Sequence, residues 1–212
     1  FRSICIMSVG IGIGYADAGP THYITEDFAC LRSIINCNIY TTADAGTARR
    51  LANKLLKKPE FSYIRFDRHD QPELEVSNFT TDLDYRVMND TVTENKVIVI
   101  GSGKMAHVVR KAYDEQPEKI FGVDLIHAKP FPKTLLNAIA VAKGVIVIDE
   151  QTPSGSLGSA VMEECANADI LKKIKTITIP ETYVFENGGR EYLLNKLGLN
   201  KDNILKTLND NF

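Results

Sequence analysis

Gly10-Ile11-Gly12-Ile13-Gly14-Tyr15-Ala16-Asp17-Ala18-Gly19-Pro20-Thr21-His22-Tyr23-Ile24-Thr25-Glu26-Asp27-Phe28-Ala29 joins an apolar segment, Ile4 to Val9, to a stretch with helical spacing. Apolar residues at 24, 28, 31, 34 and 35 fall on one helical face. Thr25 or Thr21 is placed to cap that helix, and Glu26 and Asp27 fall in its first turn, where the dipole favours acidic groups. The glycines allow close backbone approach and positive φ, and the free N–H groups of a helix start favour negative charge. His22, a threonine and a carboxylate meet where loop becomes helix, so we expect a small anionic or polyhydroxy ligand there.

Working outward, Ile4 to Val9 reads as a fully apolar, buried strand of a parallel sheet. Asn38 to Thr42 reads as a strand, Ala45 to Lys57 as a helix closed by Pro59, and Phe61 to Phe66 as a further strand. Strands alternating with helices imply right-handed crossovers and a parallel sheet covered by helices. From about Gln71 the periodicity fades, and we read residues 76–94 as an interdomain connection between a unit at 1–75 and one at 95–212. The second unit reads as strand Lys96 to Ile100, a Gly101-Ser102-Gly103 turn, a helix to about Tyr113, strand Ile120 to Ile126 and helix Pro132 to Ala142. Strand Val145 to Asp149, helix Ser156 to Ala166, strand Ile174 to Ile179 and two terminal helical pieces, Arg190 to Leu197 and Lys201 to Leu208, follow.

Composition excludes several classes. At 212 residues and 44% apolar, the chain can bury ordinary cores, and a net charge of −2 gives no reason to expect nucleic acid or an acidic membrane as partner. Cysteines 5, 30, 37 and 165 have no Cys-x-x-Cys spacing, which reads as reduced thiols and a cytoplasmic location. No apolar run reaches the roughly 18–20 residues that span a bilayer. The chain starts at Phe1 without Met and runs straight into a strand, so its true amino terminus is expected upstream. No metal site is expected: the 4 histidines are widely spaced, and Asp82 and Asp84 read as solvated loop carboxylates. Gly101-Ser102-Gly103-Lys104-Met105-Ala106 meets the dinucleotide fingerprint, with Asp124 downstream to hold a ribose hydroxyl; the plainer reading is a tight strand-to-helix turn.

Gly-Pro-Thr-His at 19–22, followed by Glu26-Asp27-Phe28-Ala29 and Leu31-Arg32-Ser33-Ile34, resembles a signature of the transketolase family of thiamine-diphosphate enzymes. Asn38-Ile39-Tyr40-Thr41-Thr42-Ala43-Asp44, Tyr63-Ile64-Arg65-Phe66-Asp67-Arg68, Lys129-Pro130 and Ser154-Gly155-Ser156-Leu157-Gly158 continue it in order. The resemblance implies an α/β fold of two three-layer units with mostly parallel sheets: the second half of a pyrimidine-binding domain, hence incomplete, and a carboxy-terminal domain. It implies transfer of a two-carbon ketol unit between sugar or sugar phosphate substrates. His22 would lie over the reactive carbon of the cofactor and bond hydroxyls of the donor sugar.

The family's usual aspartate before Gly-Pro-Thr-His is Ala18 here, with a carboxylate one place earlier at Asp17, the substrate-binding candidate. Gly10 stands where many transketolases carry a phosphate-binding histidine. Both departures fall on acceptor recognition. Arg68 aligns with a sugar-phosphate arginine; Arg65 is its rival. By the same resemblance, thiamine diphosphate and Mg2+ are bound mainly by parts of the enzyme outside this chain. A homodimer or a separate thiamine-diphosphate-binding subunit is then the expected partner, and this chain alone is expected to be inactive. A deoxyxylulose-phosphate synthase, a dehydrogenase beta-subunit-like member and a non-catalytic assembly module are the alternatives.

Overall fold

The computed structural model describes residues 4–76, 78–79, 83–88 and 91–212; Phe1, Asp82 and parts of the expected connection lie outside the described residues. The first elements are strand β1 (Cys5–Val9), helix α1 (Asp27–Arg32), β2 (Asn38–Thr41), α2 (Ala45–Lys57) and β3 (Ser62–Phe66). Short strands β4 (Asn78–Phe79) and β5 (Tyr85–Val87) lead to β6 (Val97–Gly101), α3 (Lys104–Glu115), β7 (Ile120–Leu125) and β8 (His127–Lys129). Helix α4 (Lys133–Val141), β9 (Gly144–Ile148), α5 (Leu157–Asn167), β10 (Ile174–Ile177), α6 (Arg190–Lys196) and α7 (Lys201–Asn211) complete the order.

These strands make two mixed, mostly parallel sheets flanked by helices, as the α/β reading requires. One sheet runs β1-β3-β2-β8 and the other β10-β9-β6-β7-β5-β4. β8 pairs antiparallel with β2, so the chain that has just left the second sheet at β7 supplies the edge of the first. Within the stretch read as a connection, β5 pairs antiparallel with β7.

The second sheet is buried on both faces because its strands are apolar without alternation. Val97 and Val99 face α3, α6 and α7, packing with Val109, Leu193, Ile204 and Leu208; Ile98 and Ile100 face α4 and α5, packing with Leu135, Ile139 and Val161. That second cluster also takes in Ile39, Tyr63 and Phe28, so the first sheet lays one face on the second unit. Its opposite face packs Tyr40 and Ile64 on Leu51 of α2. The third layer of the first unit is therefore its neighbour.

Two expectations differ from the structure. β1 is a strand but not a buried one: Ile6 is 42% and Met7 67% exposed, because β1 is an edge strand with β3 as its neighbour in the sheet. Helix α1 begins at Asp27 rather than Ile24 and has no side-chain cap from Thr25 or Thr21. The reason is tertiary. Gln151 donates to Ile24 O (2.9 Å), and Thr152 N donates to Thr25 O (3.0 Å), strapping these residues to the end of β9.

Charged side chains are buried where the units meet. Arg86 of β5 lies between Asp44 at the start of α2 and Asp124 of β7, each at 2.7 Å. Burial opposes ionisation of Asp44, but the N–H groups of Thr47 and Leu74 and the Arg86 guanidinium outweigh it and hold its pKa at about 2. Asp149, at the end of β9, accepts the Leu157 N–H; burial raises its pKa to about 6 against the pull of Arg65. Asp149 therefore binds its proton more tightly folded than unfolded. Its contribution to stability is full below pH ~4 and is lost as the pH rises through about 6. Asp149→Asn should escape that loss: relative to wild type it gains about 2–3 kcal/mol between pH 4 and pH 7, read from urea unfolding at both values. A difference that stays flat with pH would contradict this assignment.

Candidate functional site

The loop after β1 is closed on itself before it reaches His22. Gly10 N donates to Phe66 O (2.9 Å), and Gly12 and Ile24 exchange two backbone hydrogen bonds of 2.9 Å, pinning the loop at its base. Ala18 N and Gly19 N both donate to Tyr15 O, turning the chain. Gly19, at φ 81°, then starts a single 3-10 turn over Pro20–His22. His22 thus stands exposed on a short turn between loop and helix, and Thr21 Oγ1 is 2.9 Å from its Nδ1. With the hydroxyl donating to Nδ1, Nε2 carries the proton and can donate to a ligand oxygen.

Three further side chains gather beside it. Arg68, two residues past β3, pairs with Asp17 through NH1 and Oδ1. Its guanidinium carbon lies 4.5 Å from the centroid of the Tyr15 ring. That ring is 5.9 Å from the His22 ring at 45°. The hydrogen bond from Arg68 keeps the Asp17 carboxyl below the usual carboxylate range. His22, Asp17 and Arg68, all named from the one family resemblance, lie in one cluster linked by Tyr15, which sequence reasoning missed.

The missing signal was Gly10. It adopts φ +87°, and a Cβ built there would run into the Tyr15 ring. Gly10→Ala would force the ring aside in a backbone region that L residues rarely adopt. We expect a stability loss of about 1–3 kcal/mol and a weakened Arg68–Tyr15 stack, measured by guanidinium unfolding and by Tyr fluorescence. An unchanged midpoint would contradict the fit.

Arg65, the rival of Arg68, is not available to a ligand. It is buried, and Nε and NH2 grip Asp27 at 2.9 and 3.2 Å while NH1 reaches Thr41 Oγ1 at 3.3 Å. A second ion cluster forms at Asp67, the residue before Arg68. Arg190, opening α6, holds Asp67 at 2.7 and 2.8 Å and Glu150 at 2.6 and 3.1 Å. Asp67 precedes Arg68 directly, so this clamp sets where Arg68 starts.

Residues 88–204 match the family described as transketolase, C-terminal domain. The chain belongs to that family. It is 25% identical over 210 residues to one subunit of the apulose-4-phosphate transketolase of Phocaeicola vulgatus, covering 97% of this chain and 66% of the relative. It is 24% identical over 195 residues to 1-deoxy-D-xylulose-5-phosphate synthase of Nitrosomonas europaea, covering 92% and 31%. A solved split gene transketolase, described as an inactive beta4 tetramer, superposes with a TM-score of 0.80 at 22% identity, over 97% of this chain and 65% of its own. Transketolase from Campylobacter jejuni superposes with a TM-score of 0.76 at 14% identity, over 97% and 31%. The chain therefore spans less than two thirds of these relatives, and the two structural likenesses establish fold.

In this transketolase-family chain the glycine turn after β6 is not a nucleotide site. Asp124, read as a possible ribose ligand, is fully buried against Arg86. A Cβ on Gly103 would come within 2.9 Å of Ile11 and 3.1 Å of Thr41, so the first unit covers the turn. His127 serves packing: it stacks on Tyr40 at 4.1 Å and lies within hydrogen-bond reach of Asn38 (3.1 Å) and Asp84 (3.3 Å). Members of the family use thiamine diphosphate. Among the described residues no group of three or more His, Cys, Asp or Glu is arranged to hold a metal ion.

Proposed function

We propose that this chain is the C-terminal part, or a separate subunit, of a transketolase that moves a two-carbon ketol unit between sugar or sugar phosphate substrates. The observation that carries the reading is the cluster of His22, Tyr15, Asp17 and Arg68 beyond the ends of β1 and β3. Thiamine diphosphate with Mg2+, held by other parts of the assembly, supplies the carbanion chemistry. His22 donates through Nε2 to an oxygen of the donor sugar, and Asp17 and Arg68 bind the far end of the acceptor. The Arg190 clamp holds Asp67, the residue before Arg68, and the Thr21 hydroxyl pairs with Nδ1 of His22.

A homodimer or a separate thiamine-diphosphate-binding subunit completes the assembly, and the second form is supported by the Phocaeicola vulgatus relative, itself one subunit of a transketolase. On this reading the isolated chain is inactive. A cytoplasmic location agrees with four free cysteines, Cys5, Cys30, Cys37 and Cys165; no helix among the described residues is long and apolar enough to cross a membrane. A synthase of the deoxyxylulose-phosphate type is the second reading, favoured by the match over 92% of the chain.

The test mixes the chain with a thiamine-diphosphate-binding partner from the same source and follows ketol transfer from hydroxypyruvate to an aldose. Transfer that requires both polypeptides supports the proposal. A mixture that instead condenses pyruvate with glyceraldehyde 3-phosphate favours the second reading, and a mixture that binds cofactor and does neither rejects both.

A further inference from the structure

We propose that Glu150-Gln151-Thr152, at the end of β9, forms with Arg190 a platform through which the second unit sets where His22 and Arg68 stand relative to each other. The inference rests on the proposed ketol transfer and names Gln151 and Arg190 as positioning residues for its two ends.

One arm runs to the His22 turn. Gln151 is buried, and its side-chain amide spans the backbone that follows His22: Nε2 donates to Ile24 O at 2.9 Å, and Oε1 accepts from Phe28 N at 3.4 Å. Thr152 N donates to Thr25 O at 3.0 Å. Ile24 is also tied to Gly12 by the paired bonds at the loop base, and Gly12, at φ +61°, lies directly on Glu150: a Cβ there would come within 2.4 Å of Glu150 Cβ. The base of the glycine loop and the segment leaving the His22 turn therefore rest on three consecutive residues of the second unit.

The other arm runs to Arg68. The same Glu150 takes Nε and NH2 of Arg190, whose NH1 holds both oxygens of Asp67. Asp67 Oδ1 also accepts from His69 N at 3.0 Å, so this carboxylate is bonded to the residue after Arg68 while belonging to the one before it. All three side chains of the ion cluster are under 10% exposed. A guanidinium reaches both carboxylates at once through its fixed fork, which an ammonium does not reproduce. The arms share Glu150 and diverge to the donor side at His22 and the distal side at Arg68. Misplacing a substrate-holding group by about 1 Å costs up to about 100-fold, so loosening each arm should disturb a different kinetic constant.

The experiment uses the complete assembly, with hydroxypyruvate as donor and D-ribose 5-phosphate as acceptor, and follows kcat and KM separately. Arg190→Lys, which keeps the charge and loses the fork, should raise KM for the ester about tenfold while kcat moves by less than about threefold. Gln151→Met, similar in size but without the amide, should lower kcat about tenfold while KM for the ester moves by less than about threefold. In an Arg68→Ala background, Arg190→Lys should change that KM by less than about twofold, since a residue acting through Arg68 has nothing left to act on. Variants that change both constants by one common factor or neither, or an undiminished effect of Arg190→Lys without Arg68, overturn the proposal. Where a variant fails to fold, Asp67→Asn replaces Arg190→Lys and Gln151→Asn replaces Gln151→Met, with the same expectations. If the assembly transfers no ketol unit, the proposed function fails, and calorimetry with ribose 5-phosphate still reads the Arg190 arm. Binding weakened about tenfold by Arg190→Lys only where Arg68 is present supports it; an equal loss without Arg68, or an ester that wild type does not bind, overturns it.

Discussion

Arg86→Met will cost the fold about 3–5 kcal/mol, the largest loss expected from any single substitution here. The carboxylates of Asp44 and Asp124 are both fully buried, and Arg86 is the cation between them. Taking it away leaves two carboxylates facing each other in a dry interior. Asp124 already shows the strain: burial lifts its pKa to about 6 in spite of Arg86, and its Oδ1 accepts no hydrogen bond from the described residues. The three residues come from β5, β7 and the start of α2, so the loss falls on the junction between the units as well as on each of them. Removing the whole cluster together, with Asp44→Asn, Arg86→Met and Asp124→Leu, should recover most of the stability, since the uncompensated charge and not the missing pair is what destabilises. Urea unfolding of both variants checks this. A single variant within 1 kcal/mol of wild type would mean that water reaches the site and that the junction is not dry.

His22→Ala should leave the unfolding transition where it is and lower ketol transfer by about 100-fold or more in the complete assembly. The side chain is exposed, and its contacts are the Thr21 hydroxyl and the edge of the Tyr15 cluster. On the proposed function, removing it takes away the donor to the reacting sugar and little that supports the chain. His22→Gln, which keeps a donor but cannot shuttle a proton, should recover part of the loss. A kcat within threefold of wild type for His22→Ala would remove this residue from the site.

What was readable in the sequence was what local physics decides. Helix α2 was legible from end to end because its residues favour helix, basic residues gather near its end and Pro59 follows it; the structure adds the Asp44 cap. Strand β6 was legible because an unbroken run of Val and Ile admits little else. The start of α1 was not, because Gln151 and Thr152, far away in sequence, take the backbone groups that a longer helix would use. Nor was the exposure of β1: its apolar residues look buried until the sheet order places them on an edge.

The site divides in the same way. His22 and Arg68 carry recognisable words around them, and Asp17 sits beside a visible departure from the family pattern. Tyr15 had no word of its own. Its role depends on a glycine five positions earlier standing under the ring, which becomes visible once the loop is folded. Arg86 and Arg190 act through partners distant in the chain, and no periodicity marks such residues.

Native mass spectrometry of the protein taken from its source tests the central claim most directly. This sequence should travel either inside a longer polypeptide or tightly bound to a second chain, and the assembly should carry thiamine diphosphate. A lone species of 23.6 kDa, with no partner and no cofactor, would contradict the ketol-transfer reading and leave a binding or assembly module in its place.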